Sequence, residues 1–266
     1  MRTLKELFGL DGRVAMITGG AGHIGLACAE ALAELGARIV VVDRELSACE
    51  ARARDLATRF GGEAIALAAD LENADACKDA VTGAVAQLGR LDILVNNAAY
   101  TGATGIPGYA VPFPAQSVEA WAAAVRVNLT APFVLAQAAF AELAKHQGCI
   151  VNVGSIYGSV GPQNALYEGT SMGNPAAYAA TKGGLAQLTR YLATTMAPAV
   201  RVNCLSPGGV ARGQPIAFAE RYVARTPLGR MATEEDFKGA FAFLASAASA
   251  YVTGQELLVD GGWTAW

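Results

Sequence analysis

The chain has 266 residues and a net charge of −3, with 53% hydrophobic and only 16% charged side chains. Globular chains average about 25% charged residues, so intrinsic disorder, a coiled coil and a polybasic arm are excluded. The charge balance offers no attraction to nucleic acid or to an anionic membrane.

The first residues carry Lys5 and Glu6 where a secretory leader would be apolar. A strand is then expected over Val14–Thr18, followed by a glycine-rich turn and a helix over Ile24–Leu35. The pattern repeats with strands at Arg38–Val42, Ala64–Ala68 and Ile93–Val95 and helices at Ser47–Phe60 and Asp75–Leu88. Beyond them come a helix over Ser117–Lys145, a strand at Ile150–Val153, a helix over Ala176–Met196 and a strand at Arg201–Leu205. A helix over Glu234–Ala245 and a strand at Glu256–Val259 close the series. The strand segments are short and mostly apolar, as suits strands covered on both faces of a parallel sheet. The alternation predicts an α/β fold: one domain, residues 1–266, with a doubly wound, Rossmann-type, seven-stranded parallel sheet flanked by helices on both faces.

Three Gly/Pro-punctuated segments, at about 100–116, 159–175 and 207–230, interrupt the rhythm. Each follows the carboxyl end of a strand, the edge where open α/β sheets bind ligands. No uncharged stretch is expected to supply the ~20 predominantly apolar residues of a membrane span. The five cysteines lack CxxC spacing and read as reduced thiols of a cytoplasmic protein. Two histidines, His23 and His146, are too few for a histidine-rich metal site, and no metal is expected.

Gly20, Gly22 and Gly25 form G-x-G-x-x-G between the first strand and the first long helix. Glycines there allow a tight turn and let a pyrophosphate approach the backbone, with the helix N-terminus supplying unpaired N–H groups. Asp43 closes the second strand, where a carboxylate accepts ribose hydroxyls and repels a 2′-phosphate. This favours NAD over NADP, with neighbouring Arg44 keeping NADP open. Tyr178 and Lys182 lie one helical turn apart, so that a cation can lower the phenol pKa from its usual value near 10. Ser155 follows the Ile150–Val153 strand and completes a candidate reactive set.

Taken together, TGGAGHIG (Thr18–Gly25), Asp43, Asp70-Leu71, NNAA (Asn96–Ala99), Asn128, Ser155, YAATK, SPGG (Ser206–Gly209) and VDGG (Val259–Gly262) resemble the short-chain dehydrogenase/reductase family along essentially the whole chain. The resemblance implies Tyr178 as general acid/base, Ser155 bonded to the reacting oxygen and Lys182 lowering the Tyr178 pKa. Asn128 would hold a water in a proton relay. It also implies cofactor contacts from Gly19, Gly22, His23, Ile24, Gly25, Asp43, Arg44, Asp70 and Leu71. Further contacts would come from Asn96, Asn97, Ala98, Ala99, Pro207, Gly208 and Val210, with Tyr178 and Lys182 completing the set. The activity implied is NAD(H)-dependent interconversion of a secondary alcohol and a ketone. The rival readings are a sugar-nucleotide epimerase or dehydratase that retains its NAD and a non-catalytic NAD(H)-binding protein.

Some features depart from the family pattern. The glycine spacing matches the family's extended form, whereas NNAA, chain length and VDGG match the short form, to which the chain is assigned. His23 stands where the short form has glycine and reads as an exposed first-turn residue, a phosphate contact being the alternative. Arg212 replaces a threonine common near the nicotinamide carboxamide. Ser155 and Tyr178 are 23 residues apart, more than the short form usually has. The added segment, with YEGTSM and the ending GGWTAW, resembles a bacterial flagellin-modification or nonulosonate-sugar dehydrogenase subgroup. Gln163, Asn164, Glu168 and Gln214 are candidates to bind a sugar or polyol. The apolar surplus is assigned to Ser117–Lys145, Ala176–Met196 and the Leu257–Trp266 tail, elements that resemble the family's subunit contacts. A homotetramer, or failing that a homodimer, is expected.

Overall fold

The computed structural model describes residues 1–266. A short helix α1 (Leu4–Phe8) precedes β1 (Val14–Thr18), α2 (His23–Glu34), β2 (Arg38–Asp43), α3 (Leu46–Phe60) and β3 (Ala64–Ala68). Next come α4 (Ala74–Leu88), β4 (Ile93–Asn96), α5 (Val118–Val125), α6 (Ala131–Lys145) and β5 (Cys149–Val153). The chain ends with α7 (Ala176–Met196), β6 (Arg201–Pro207), α8 (Ile216–Ala224), α9 (Lys238–Ala245) and β7 (Glu256–Val259). The seven strands pair in the order β3-β2-β1-β4-β5-β6-β7, and every pair is parallel. The predicted fold class is therefore what the chain adopts.

Side-chain alternation sorts the core. Val14, Met16, Val40, Val42 and Leu94 point to one face, packing with residues of α4, α6 and α7. Ala15, Ile17, Ile39, Val41, Ile93 and Val95 point to the other, against α2, α3 and α9. Because both faces are covered, the central strands read as continuous apolar runs. The edge strands do not share this burial: β3 is only partly buried, and Leu257 and Leu258 of β7 are exposed. All five cysteines are buried and unpaired.

Elsewhere the predicted boundaries shift. A π-helical turn at Arg126–Thr130 divides the single helix expected over Ser117–Lys145, whose first residue is the N-cap that accepts from Ala120 N. The resulting helical run Val118–Lys145 spans 28 residues and is long and apolar enough by composition to cross a membrane, although Glu119, Arg126, Glu142 and Lys145 interrupt it. Half of its most apolar window is buried inside the fold, so it serves as a core helix. The 207–230 segment is not all loop, since α8 begins directly after Pro215. Leu166 from the 159–175 segment packs with Phe218 and Tyr222 of α8 and with Trp263 in a small aromatic core of its own.

Strand order reverses between β1 and β4, opening a crevice where the loops after their carboxyl ends part in opposite directions. That crevice holds a cavity of about 690 Å³.

Candidate active site

The glycine loop forms the floor of the cavity. Gly19 adopts φ +63°, and a Cβ on Gly25 would lie 2.2 Å from the Gly19 carbonyl oxygen, so neither position accepts a larger side chain without movement. Gly20 is buried and turns the chain without lining the cavity, whereas Gly19, Gly22, His23, Ile24 and Gly25 all line it. Helix α2 has no side-chain cap and no acidic residue in its first turn. The backbone N–H groups of His23, Ile24 and Gly25 have no partner within the chain. Three orphaned donors at a helix N-terminus beside a glycine cradle fit a dinucleotide pyrophosphate.

The NNAA segment holds this loop in place. Thr18 Oγ1 donates to Val95 O (3.3 Å) and accepts from Asn97 N (3.0 Å) and Ala98 N (3.2 Å). The Asn97 amide donates to Thr18 O (2.9 Å) and Gly19 O (3.1 Å). Asn97, Ala98 and Ala99 line the cavity, but Asn96 does not. Its amide donates to Asn152 Oδ1 (2.8 Å) inside the sheet, which corrects its expected role as a cofactor contact. Asp43, Arg44, Asp70 and Leu71 line one end of the cavity, and the Arg44 guanidinium lies 5.9 Å above the Tyr100 ring.

At the other end Tyr178 and Lys182 project from α7, with Lys182 Nζ 5.7 Å from the Tyr178 ring centre. Pro207, Gly208 and Val210 line the same space. Lys182 is buried and its ammonium donates to Val153 O at 2.6 Å, while burial pushes its pKa down to about 8. Burial also raises the Tyr178 pKa, opposed first by the Ser155 hydroxyl and then by the positive charge of Arg212. The Lys182 ammonium itself is turned toward the Val153 carbonyl. Ser155 is itself buried and accepts from Tyr157 N (3.2 Å), which leaves its own proton to donate.

Asn128 sits in the π-helical turn, fully buried away from the cavity. Its Oδ1 accepts from Tyr100 N (2.7 Å), and its Nδ2 donates to Tyr100 O (3.0 Å) and Thr181 Oγ1 (3.2 Å). The side chain clamps Tyr100 and the Tyr178 helix turn, so it is a positioning residue and not the free water ligand expected. Among the candidates for substrate, Gln163, Asn164 and Glu168 do not line the cavity, and the 159–175 segment contributes Met172 instead. Gln214 lines it, but its amide is spent on its own loop, accepting from Arg212 N (2.7 Å) and donating to Val210 O (2.6 Å). His23 is exposed, as expected, with Nδ1 3.5 Å from Glu234. Tyr100, Thr101 and Thr104 from the 100–116 segment also line the cavity, as does Val127 from the π-helical turn, which no motif announced.

The sequence profile of the family described as enoyl-(acyl carrier protein) reductase matches residues 19–264. The cis-4-hydroxycyclohexanecarboxylate dehydrogenase of Sinomonas cyclohexanicum is 38% identical over 95% of this chain and 97% of its own. The galactitol 2-dehydrogenase (L-tagatose-forming) of Cereibacter sphaeroides is 36% identical over 98% and 99%. A crystal structure of gluconate 5-dehydrogenase from Burkholderia cenocepacia, in complex with NADP and tartrate, superposes with a TM-score of 0.87 at 33% identity, covering 99% of this chain and 100% of that one. The chain belongs to the short-chain dehydrogenase/reductase superfamily and is an oxidoreductase acting on CH–OH groups of small alcohol- or ketone-type substrates. The comparisons lend no support to the flagellin-modification or nonulosonate-sugar subgroup. They also overturn the preference for NAD. NADP is bound in that gluconate dehydrogenase and in two further similar structures, from Beutenbergia cavernae and Agrobacterium tumefaciens. The physical reason lies beside Asp43, where Arg44 brings a guanidinium to the cavity wall and can meet a 2′-phosphate.

Proposed function

We propose that this short-chain dehydrogenase/reductase interconverts a secondary alcohol and a ketone on a polyhydroxylated substrate, with Tyr178 as the general acid/base. The observation that carries the reading is one cavity holding the orphaned N–H groups of α2 at one end and the Tyr178 phenol, faced by Ser155, at the other. The nicotinamide dinucleotide, NAD or NADP, supplies or accepts the hydride when bound. Gly22, His23, Ile24 and Gly25 would hold its pyrophosphate, with Asp43, Arg44, Asp70 and Leu71 at the adenosine end.

In the reducing direction Tyr178 donates its proton to the substrate oxygen, and a raised phenol pKa keeps that proton in place at neutral pH. Ser155 donates a hydrogen bond to the same oxygen. Lys182, anchored on Val153, offers its remaining N–H donors to the cavity. Asn128 and Thr181 keep the turn carrying Tyr178 in register, since Thr181 Oγ1 also donates to Tyr178 O at 3.0 Å. The named substrates of the relatives (a hexitol, a sugar acid and a cyclic hydroxy acid) support a sugar- or polyol-like substrate.

Exposed Trp121, Phe133, Phe140 and Tyr191 on the helical run and α7 favour a homotetramer, and five unpaired thiols favour a reducing, cytoplasmic compartment. The deciding experiment is Tyr178→Phe. Turnover on a panel of polyols and secondary alcohols falls by about 10²–10⁴-fold, while NADH and NADPH binding persist. Undiminished turnover would remove Tyr178 from the mechanism.

A further inference from the structure

We propose that Arg212 is the receptor for a carboxylate on the substrate, so that the preferred substrate is a hydroxy acid and not a neutral polyol. The inference rests on the reading of Tyr178 as the acid/base and adds a second fixed point to it. Arg212 lines the cavity that holds Tyr178, and its charge reaches the phenol. Its Nε donates to Glu234 Oε1 at 3.1 Å, while its two terminal amino groups have no partner within the chain. Glu234 therefore orients the guanidinium from one side and leaves the forked face open. The backbone is equally fixed, because the Gln214 amide ties Arg212 N to Val210 O across the loop.

The surroundings make this charge distinctive. Tyr178 shares its end of the cavity with Val127, Val153, Gly154 and Met172, none of which is charged. Lys182 is the other cation there, buried and engaged with Val153 O. The cavity's carboxylates, Asp43 and Asp70, belong to the ends of β2 and β3, on the far side of β1 from α7. A planar guanidinium with two free amino groups matches a carboxylate through two parallel, charge-assisted hydrogen bonds, which a neutral hydroxyl cannot reproduce. Closing the site over a polyol would leave the two terminal amino groups without a charged acceptor, since Glu234 meets only Nε.

The same anion chemistry could come from the cofactor. Glu234 also faces His23 Nδ1 at 3.5 Å, so Arg212 reaches toward the first turn of α2. The experiment separates the two sources. Aldonates and hydroxycycloalkane carboxylates are assayed beside the corresponding alditols and cycloalkanols, and NADH and NADPH dissociation constants are measured by fluorescence titration. Wild type prefers the acid of each pair in kcat/KM. In Arg212→Gln that acid-to-alcohol ratio falls by about 10- to 100-fold, mainly through KM of the acid. Arg212→Lys, which keeps the charge and loses the fork, falls between the two. A wild-type preference for the neutral partner overturns the proposal. So does an unchanged ratio in Arg212→Gln accompanied by weaker NADH and NADPH binding, which would assign the residue to the cofactor. Either result leaves the Tyr178 reading standing, whereas full activity in Tyr178→Phe removes that reading instead.

Discussion

Replacing Gly25 with alanine tests whether the glycine loop is shaped for a ligand. The new Cβ would lie 2.2 Å from Gly19 O and 2.6 Å from Asn97 Nδ2, against a relaxed carbon–oxygen contact of about 3.3 Å. The Gly19 carbonyl must therefore move by about 1 Å. The Asn97 amide, which donates to that same carbonyl, must shift with it. Gly19 and Gly25 both line the cavity, so the displaced loop is part of the binding surface. Overpacking of this kind costs about 1–3 kcal/mol, or about 5- to 150-fold in a dissociation constant when the strained loop is also the binding surface. Fluorescence titration with NADH and NADPH should show that loss for Gly25→Ala. The comparison is Gly61→Ala, at φ +72° with nothing within 4 Å of the new Cβ, which lowers the melting temperature without touching affinity. Binding by Gly25→Ala within twofold of wild type for both nucleotides would refute the reasoning.

Stability against pH gives a second test. The Lys182 pKa of about 8 lies below its unfolded value of 10.5, so between those values the unfolded chain holds a proton that the folded chain has lost. Its contribution makes stability rise with pH across that window by about 1.4 kcal/mol per unit. Cys77 and Cys204, raised to about 11, act in the opposite sense from pH 9 upward; wild type is therefore compared with Lys182→Met, in which the effect of Cys77 cancels and only Cys204, whose pKa Lys182 lowers, remains coupled to the change. Urea unfolding at pH 8 and 9.5 should show the wild type gaining on the variant as pH rises; a pH-independent difference would refute the burial argument. For assembly, light scattering should give a tetramer of 27.3 kDa chains, and a monomer-sized particle at micromolar concentration would contradict it.

Much of the fold is legible because the central strands are buried on both faces and interrupted by helices, a pattern that local hydropathy carries. Helix α8 escapes this reading, since Gly213 and Pro215 before it and Pro227 beyond its end mimic a loop. At the site, Gly22, Gly25, Tyr178 and Lys182 reveal themselves by spacing within one turn or one helix. The partners of those residues do not. Lys182 spends a donor on Val153, 29 residues away, and Asn97 locks onto Thr18 at a separation of 79. Asn96 and Asn128 illustrate the same limit, for a motif identifies the residue but not whether its amide faces the cavity or its neighbours. The polar residues of the 159–175 segment mislead for a related reason, because the segment is anchored by Leu166 and turns Asn164 and Glu168 outward.

The small aromatic core ties remote stretches of chain to one another. Leu166, Phe218, Tyr222 and Trp263 come from three distant stretches of chain, and they pack on one another separately from the two cores that sandwich the sheet. Tyr222 and Trp263 stack at 5.8 Å, and Arg221 fastens the 159–175 segment by donating to Glu168 O at 2.6 Å. The 159–175 segment, α8 and the C-terminal tail are thus held together as one unit beside the nucleotide scaffold. Exchange of that unit must involve all three stretches at once, because an insertion transplanted alone would arrive without the aromatic rings that seat it.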